Sequence, residues 1–346
     1  AVQDAGGASP TPSATPPPTT TATATRPPPA STVTATPTRT GTPTIGASLA
    51  GRIRYYRGDL GVGGVTLAGT TSSGTGSFSV ATGIGAAATL QPQRLGAFNG
   101  GASALDAAYI LQAVAGLRSF DAAQTRACDA TGNGTLSALD ATRVLELTVG
   151  MRNRLPVAQA CGSDWLFMPD AAPAAGQTVT QPSLAGTCTP GAITFAALPA
   201  SATGQDFRAA LFGDCTGNWQ AGAALRQVAH TAPRVAVGPE RVVRRQLRLP
   251  VRVRGGDALS LELALRVESR HAALRGARLG GLRSDIVLLT AHADGVARVA
   301  VASPTGLGAL RLTLVFDLGG AQGDGALVSS VAATLDDGAV AVHMRP

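Results

Sequence analysis

The pentapeptide Ser-Ala-Leu-Asp-Ala occurs twice, at residues 103–107 and 137–141, and this duplication constrains the chain more than any other feature. Without a gap the match extends over Ser103-Ala-Leu-Asp-Ala-Ala-Tyr-Ile-Leu-Gln-Ala-Val-Ala-Gly-Leu117 and Ser137-Ala-Leu-Asp-Ala-Thr-Arg-Val-Leu-Glu-Leu-Thr-Val-Gly-Met151. The same offset of 34 residues relates Asn99-Gly100 to Asn133-Gly134. Each copy carries apolar residues at helical spacing, Ile110, Leu111 and Val114 in one and Val144, Leu145 and Leu147 with Val149 in the other. A glycine suited to a left-handed C-cap follows each. The pattern predicts two short helices, each preceded by a loop.

The second loop, Asp129-Ala-Thr-Gly-Asn-Gly-Thr-Leu-Ser-Ala-Leu-Asp140, sets oxygen-bearing side chains at positions 1, 3, 5, 9 and 12 around a glycine at 6, as an EF-hand calcium loop does. Asp129, Thr131, Asn133 and Asp140 are the expected side-chain ligands of Ca2+. Thr135 would ligate through its carbonyl and Ser137 directly or through water, while Gly134 permits the sharp bend. The other reading is an Asx-rich turn capping the helix from Ser137 or Asp140. In the first loop positions 1 and 3 fall on Leu95 and Ala97, which leaves Asn99, Ser103, Asp106 and the Gly101 carbonyl as candidates. That loop either binds calcium with carbonyls or water filling the gaps, or is a capping turn. A third fragment, Gly213-Asp-Cys-Thr-Gly-Asn-Trp219, echoes the second loop but has no Asp at position 12. It reads more simply as a turn beside a disulfide, with Asp214, Thr216 and Asn218 as candidate ligands otherwise.

With Asp rather than Glu last, and with no helix expected before it, the second loop resembles the dockerin form of the calcium loop. That resemblance implies a cohesin-type protein partner. It also implies that the residues just before the last ligand, Ala104-Leu105 and Ala138-Leu139, face that partner. Both pairs are apolar here, so core packing is the alternative.

The rest of the chain alternates like strands. Charged residues make up 14% and aromatic residues 4%, and glycine is abundant, which favours turn-rich β structure over a helical bundle. Gly51-Arg-Ile-Arg-Tyr-Tyr, Gly64-Val-Thr-Leu, Gly76-Ser-Phe-Ser-Val and Ala88-Thr-Leu are strand candidates before the duplication. Trp165-Leu-Phe-Met, Ala192-Ile-Thr-Phe and Phe207-Arg-Ala-Ala-Leu-Phe are candidates after it. The first group resembles carboxypeptidase-regulatory-like or prealbumin-like β modules. Alternation resumes in Gln246-Leu-Arg-Leu-Pro-Val-Arg-Val, Leu259-Ser-Leu-Glu-Leu-Ala-Leu-Arg-Val and Leu310-Arg-Leu-Thr-Leu-Val-Phe, a β-sandwich pattern that resembles a cohesin-like domain. The expected fold class is therefore mainly β: β-sandwich domains with a small two-helix, dockerin-like calcium-binding insertion. Five segments follow: an extended Thr/Pro-rich stretch (1–44), the first part of a β-domain (45–94), the calcium unit (95–161), the second part of that β-domain (162–231) and the cohesin-like sandwich (232–346).

Residues 8–44 are almost entirely Thr, Pro, Ser and Ala, with too little apolar surface to offset chain entropy. They read as an extended spacer or as an element that staples subunits, with Thr19, Thr20, Thr21, Thr23, Thr25, Thr32, Thr34, Thr36 and Thr38 as candidate O-glycan acceptors. Four cysteines, Cys128, Cys161, Cys188 and Cys215, suit two disulfides in an oxidising compartment. Of the three pairings, the sequential one, Cys128 with Cys161 and Cys188 with Cys215, closes the shortest loops. The first residues, Ala1-Val2-Gln3-Asp4, read as a chain start left by leader removal, and no apolar run approaches membrane-spanning length. The expectation is a secreted or cell-surface protein.

All 28 basic residues are Arg, and the net charge is +7. The densest cluster, Arg241, Arg244, Arg245, Arg248, Arg252 and Arg254, sits in an alternating run without interleaved aromatics, which argues for a solvated strand face and against nucleic-acid binding. His230, His271, His292 and His343 have no metalloprotease spacing, and no nucleophile elbow or phosphate loop is present. The expected function is non-catalytic: a calcium-stabilised, self-associating subunit of an extracellular filament or surface assembly. The alternative is an adaptor that binds a cohesin-type partner or glycans.

Overall fold

Alternation dominates the architecture. The computed structural model describes residues 46–222, 234–267, 272–281, 283–319 and 327–344, all within one unit, Thr44–Pro346. Before the duplication come β1 (Gly46–Tyr55), β2 (Thr66–Leu67), β3 (Thr70–Thr71), β4 (Ser77–Gly83) and β5 (Ala88–Leu90). Four helices follow: α1 (Ala104–Val114), α2 (Ala122–Cys128), α3 (Ala138–Thr148) and α4 (Pro156–Cys161). Then come β6 (Trp165–Ala171), β7 (Gln177–Thr180), β8 (Ala192–Phe195) and β9 (Gln205–Leu211). The last stretch holds β10 (Arg234–Val237), β11 (Arg241–Val243), β12 (Gln246–Gly256), β13 (Ser260–Val267), β14 (Ala272–Leu279) and β15 (Val287–Ala293). It ends with β16 (Val296–Ala302), β17 (Gly308–Leu318), β18 (Val328–Leu335), β19 (Gly338–Val340) and β20 (Val342–Met344). Among the described residues no helix is long and apolar enough to cross a membrane.

A four-stranded sheet in the order β4-β1-β9-β6 joins strands from both sides of the helical segment, with β1 parallel to β9. A three-stranded sheet, β5-β8-β7, does the same. One apolar cluster fills this region, from Leu49 and Ile53 through Ile110 and Val144 to Trp165 and Phe207.

The C-terminal stretch is a β-sandwich of a six-stranded sheet (β14-β17-β12-β10-β20, with β11 on β12) and a five-stranded sheet (β15-β16-β13-β18-β19). Its own core lies between them: Leu247, Leu249, Val251 and Val253 of β12 face Leu261, Leu263 and Leu265 of β13. The alternation in β12 buries every second residue and exposes Arg248, Arg252 and Arg254. A two-residue hairpin turn of type I′ needs positive φ at both positions, and Asp294-Gly295 and Asp336-Asp337 supply it, with φ of 52° and 72° and of 47° and 65°.

The two outer faces of the sandwich differ. The five-stranded sheet turns Ala300 and Ala302 into the first cluster, with Leu259, Val287, Leu289 and Ala291 packed around them, and α1 and α3 lie across it. The outer face of the six-stranded sheet carries the exposed arginines.

Two expectations need correction. The helical segment has four helices rather than two. In α2, Asp121 caps the N-terminus by accepting from Gln124 N at 2.8 Å, and Pro156 starts α4. Both, at seven and six residues, are too short to show apolar periodicity. Because α2 runs directly into Asp129, the second loop has a helix on each side. The disulfides also differ from the sequential pairing: they join Cys128 to Cys215 (Cα–Cα 5.4 Å) and Cys161 to Cys188 (5.1 Å). Gly213 N donates to Ala127 O at 2.8 Å, so the chain after β9 runs beside the end of α2 and delivers Cys215 to Cys128. Loop-closure cost grows only slowly with length, so the fold overrides nearness in sequence.

Candidate functional site

The start of α3 organises the second loop. Ser137 is its N-cap, and Asp140, at the third helical position, accepts from Ser137 N and Oγ at 2.9 and 3.0 Å through Oδ2, a reciprocal capping box. Asp140 Oδ1 is thereby aimed back at the loop, where it accepts from Thr131 N and Oγ1, both at 2.9 Å. Asp129, at the end of α2, gathers the loop from the other side. Its Oδ1 accepts from Gly132 N (2.8 Å), Asn133 N (3.2 Å) and Thr131 Oγ1 (3.1 Å), and its Oδ2 from Gly134 N (2.7 Å). Asn133 Oδ1 accepts from Thr135 N and Oγ1. Gly134, with φ of 85°, holds the left-handed conformation that closes the bend. Asp129 and Asp140 are buried, whereas Asn133, Gly134 and Thr135 are exposed. Burial pushes the Asp129 carboxyl up from its ordinary range.

The first and third candidate sets come together as one constellation. Asp106 Oδ2 accepts from Ser103 N and Oγ, both at 2.8 Å, and its Oδ1 accepts from Cys215 N and Thr216 N, both at 2.7 Å. Asp214 Oδ1 accepts from Gly217 N (2.7 Å), Asn218 N (3.2 Å) and Thr216 Oγ1 (3.3 Å), and its Oδ2 from Trp219 N (3.1 Å) and the Tyr55 hydroxyl. Most of these bonds have a counterpart in the second loop, with Asp214 standing as Asp129, Thr216 as Thr131, Asn218 as Asn133, Ser103 as Ser137 and Asp106 as Asp140; the bonds from Cys215 N and the Tyr55 hydroxyl belong to this constellation alone. The oxygens that Leu95 and Ala97 fail to supply come from the chain after β9. The disulfide Cys128–Cys215 ties the two constellations together at their first acidic residues. Asn99 donates to Gln220 O at 3.2 Å, and Gly101 N to Phe98 O at 2.7 Å, so both shape the entry to α1.

The split constellation is the more enclosed. Asp106 and Asp214 are both fully buried. From the β18–β19 turn Asp337 approaches and accepts from Asn218 Nδ2 at 2.8 Å, and Glu262 of β13 accepts from Ala104 N at 2.8 Å at the start of α1. Burial raises all four carboxyls: Asp106 well above its usual range, Asp214 and Asp337 to about 6, and Glu262 to about 7. Asn218 Oδ1 is buried without a hydrogen-bond partner among the described residues. A cleft of about 400 Å³, lined by Tyr55, Arg57, Leu60, Gly217, Asn218 and Gln220, opens beside it.

Among the described residues no three His, Cys, Asp or Glu side chains converge as a metal cluster. Each constellation instead joins two carboxylates to hydroxyl and amide oxygens, a donor set that fits a hard cation such as calcium rather than zinc. Buried carboxyls pushed toward neutrality and an orphaned amide oxygen fit the same ion.

The apolar pairs part company. Ala104 is buried and Leu105 half-buried, whereas Ala138 and Leu139 are exposed, Leu139 to 46%. His230 and His271, and the candidate glycan acceptors Thr19, Thr20, Thr21, Thr23, Thr25, Thr32, Thr34, Thr36 and Thr38, lie outside the described residues. His292 and His343 stand on different sheets of the sandwich.

No family model matches the sequence, and no curated protein matches it. Among solved structures, a non-cellulosomal cohesin from the archaeon Archaeoglobus fulgidus is similar over 32% of this chain and 85% of its own, at 15% identity and a TM-score of 0.24. The chitin-binding domain of a Pyrococcus furiosus chitinase is similar over 35% and 100%, at 11% identity and a TM-score of 0.22. The major pilin subunit of Bacillus cereus is similar over 84% and 64%, at 6% identity and a TM-score of 0.23.

Proposed function

We propose that the chain is a non-catalytic, secreted structural module, braced by calcium at both acidic constellations, that associates with copies of itself in an extracellular assembly. The observation that carries this reading is the double construction of one hydrogen-bond pattern around the pairs Asp129/Asp140 and Asp214/Asp106. Asp129, Thr131, Asn133 and Asp140, with the Thr135 carbonyl and Ser137, would hold one ion. Asp214, Thr216, Asn218, Ser103 and Asp106 would hold the other. A divalent ion supplies the positive charge that these buried carboxylates lack, and a ligand that binds only the folded state raises stability by mass action. The Thr/Pro-rich stretch serves in this reading as spacer or staple between subunits, and head-to-tail contacts between unlike surfaces give open filaments.

Calorimetry of the full chain in calcium and in chelator tests the brace: the melting temperature rises with calcium, and an unchanged value overturns it. Electron microscopy under the same two conditions tests the assembly, which only monodisperse particles in calcium would sink. A second reading, an adaptor for another protein, is favoured by the exposure of Ala138 and Leu139 at the start of α3. Pull-down from the host's secreted fraction, with Leu139→Ser as the control, separates the two.

A further inference from the structure

The outer face of the six-stranded sheet is built of arginine. Along β12 the outward residues are Gln246, Arg248, Pro250, Arg252 and Arg254, a row about 26 Å long at the usual rise of a strand. Cross-strand register places Arg311 of β17 directly opposite Arg252, and Arg241 of β11 directly opposite Arg248. Arg278 of β14 sits opposite Thr313, whose other neighbour is Pro250. All six arginines, Arg241, Arg248, Arg252, Arg254, Arg278 and Arg311, are exposed, and none has a carboxylate within salt-bridge distance among the described residues.

This arrangement costs stability. Like charges directly opposite each other on one sheet face repel, and here two such pairs adjoin. The β11–β12 turn adds to the cost. Its two positions are held by Arg244 and Arg245 with φ of 47° and 64°, a left-handed conformation that Asn and Gly adopt far more readily. Elsewhere in the sandwich the same kind of turn is Asp294-Gly295, so a sterically easier solution occurs in this very domain.

We infer that this face binds a linear acidic polysaccharide, whose regularly spaced carboxylates meet the arginine rows. Guanidinium forks pair bidentately with carboxylates, and a flat sheet presents them in two dimensions at strand and pleat spacing. The outward residues of β12 and β17 include no aromatic on which a base could stack, and a broad sheet face enters neither groove of a duplex. They also include no Trp, Phe or Leu to enter a bilayer. The inference is independent of calcium, because the face lies on the sheet opposite the helical segment.

The test uses the full-length protein and polygalacturonate as probe, with affinity electrophoresis and calorimetry in low and in high salt. The wild type is retained in low salt and released in high salt. A triple variant, Arg248→Ser, Arg252→Ser and Arg311→Ser, binds about tenfold or more weakly. Its melting temperature is unchanged or raised, since both repelling pairs are gone. A variant with equal charge loss elsewhere, Arg118→Ser, Arg208→Ser and Arg266→Ser, keeps its affinity. Equal loss in both variants, no binding by the wild type, or tighter binding to duplex DNA or to vesicles of phosphatidylglycerol than to polygalacturonate would each overturn the assignment.

Discussion

The two acidic constellations share a core of hydrogen bonds in different surroundings. The loop from Asp129 to Asp140 is continuous, and Asn133, Gly134 and Thr135 lie open to water. Its counterpart is assembled from Ser103 and Asp106 on one side and Asp214, Thr216 and Asn218 on the other, beneath Tyr55 and Trp219 and beside two carboxylates of the sandwich. The hydrogen-bond pattern is thus indifferent to whether the chain runs straight through the site. What differs is the electrostatic cost, because whatever packs over a carboxylate decides how much water it loses.

The largest effect should come from the enclosed member. Asp214→Ala strands the Gly217, Asn218 and Trp219 amides and the Tyr55 hydroxyl, and chemical denaturation should show a loss of about 3–5 kcal/mol. Replacing both Cys128 and Cys215 by Ser frees the two constellations from each other and should cost about 2–4 kcal/mol by the same measurement. Replacing Cys161 and Cys188 should cost about 1 kcal/mol less, since that disulfide spans 27 residues rather than 87.

Glu262 tests the packing of the sandwich over the split site. Its folded pKa of about 7 exceeds its ordinary 4.5, so the folded protein holds this proton more tightly than the unfolded chain does. Stability from this group is therefore fully present below about pH 4.5, falls as pH rises toward about 7, and is level beyond. Glu262→Gln keeps an acceptor for Ala104 N and should raise stability by about 3 kcal/mol above that window and leave it unchanged below, read from melts across pH. Asp129→Ala should cost the least, about 1–2 kcal/mol in the absence of calcium, because water can reach the amides it abandons. Equal losses for Asp129→Ala and Asp214→Ala would break the comparison.

The continuous loop was legible because all its oxygens lie within one stretch of sequence, and α1 and α3 because Ile110, Leu111, Val144 and Leu145 keep helical spacing. The alternation of β12, β13 and β17 announced a sandwich with buried Leu and Val and outward Arg. The split constellation left only an echo, Asp214-Cys-Thr-Gly-Asn, whose missing last carboxylate lies upstream at Asp106 rather than downstream. No local pattern could show that. The disulfide partners and the parallel pairing of β1 with β9 are likewise set by where distant segments meet, and α2 and α4 bury too few side chains to mark themselves.

That parallel pairing sets an order of assembly. β1 can find β4 as soon as both exist, but Ile53, Arg54 and Tyr55 wait for Phe207, Arg208 and Ala209, some 150 residues later in the chain. The same late segment brings Cys215 to Cys128 and Asp214 to Tyr55. Contacts between such distant segments form slowly, and an unpaired strand edge is an invitation to the wrong partner in the interval. Residues 205–219 therefore act as a keystone: a chain that stops short of them leaves β1 with an open edge, Cys128 a free thiol and Asp106 without the Cys215 and Thr216 amides.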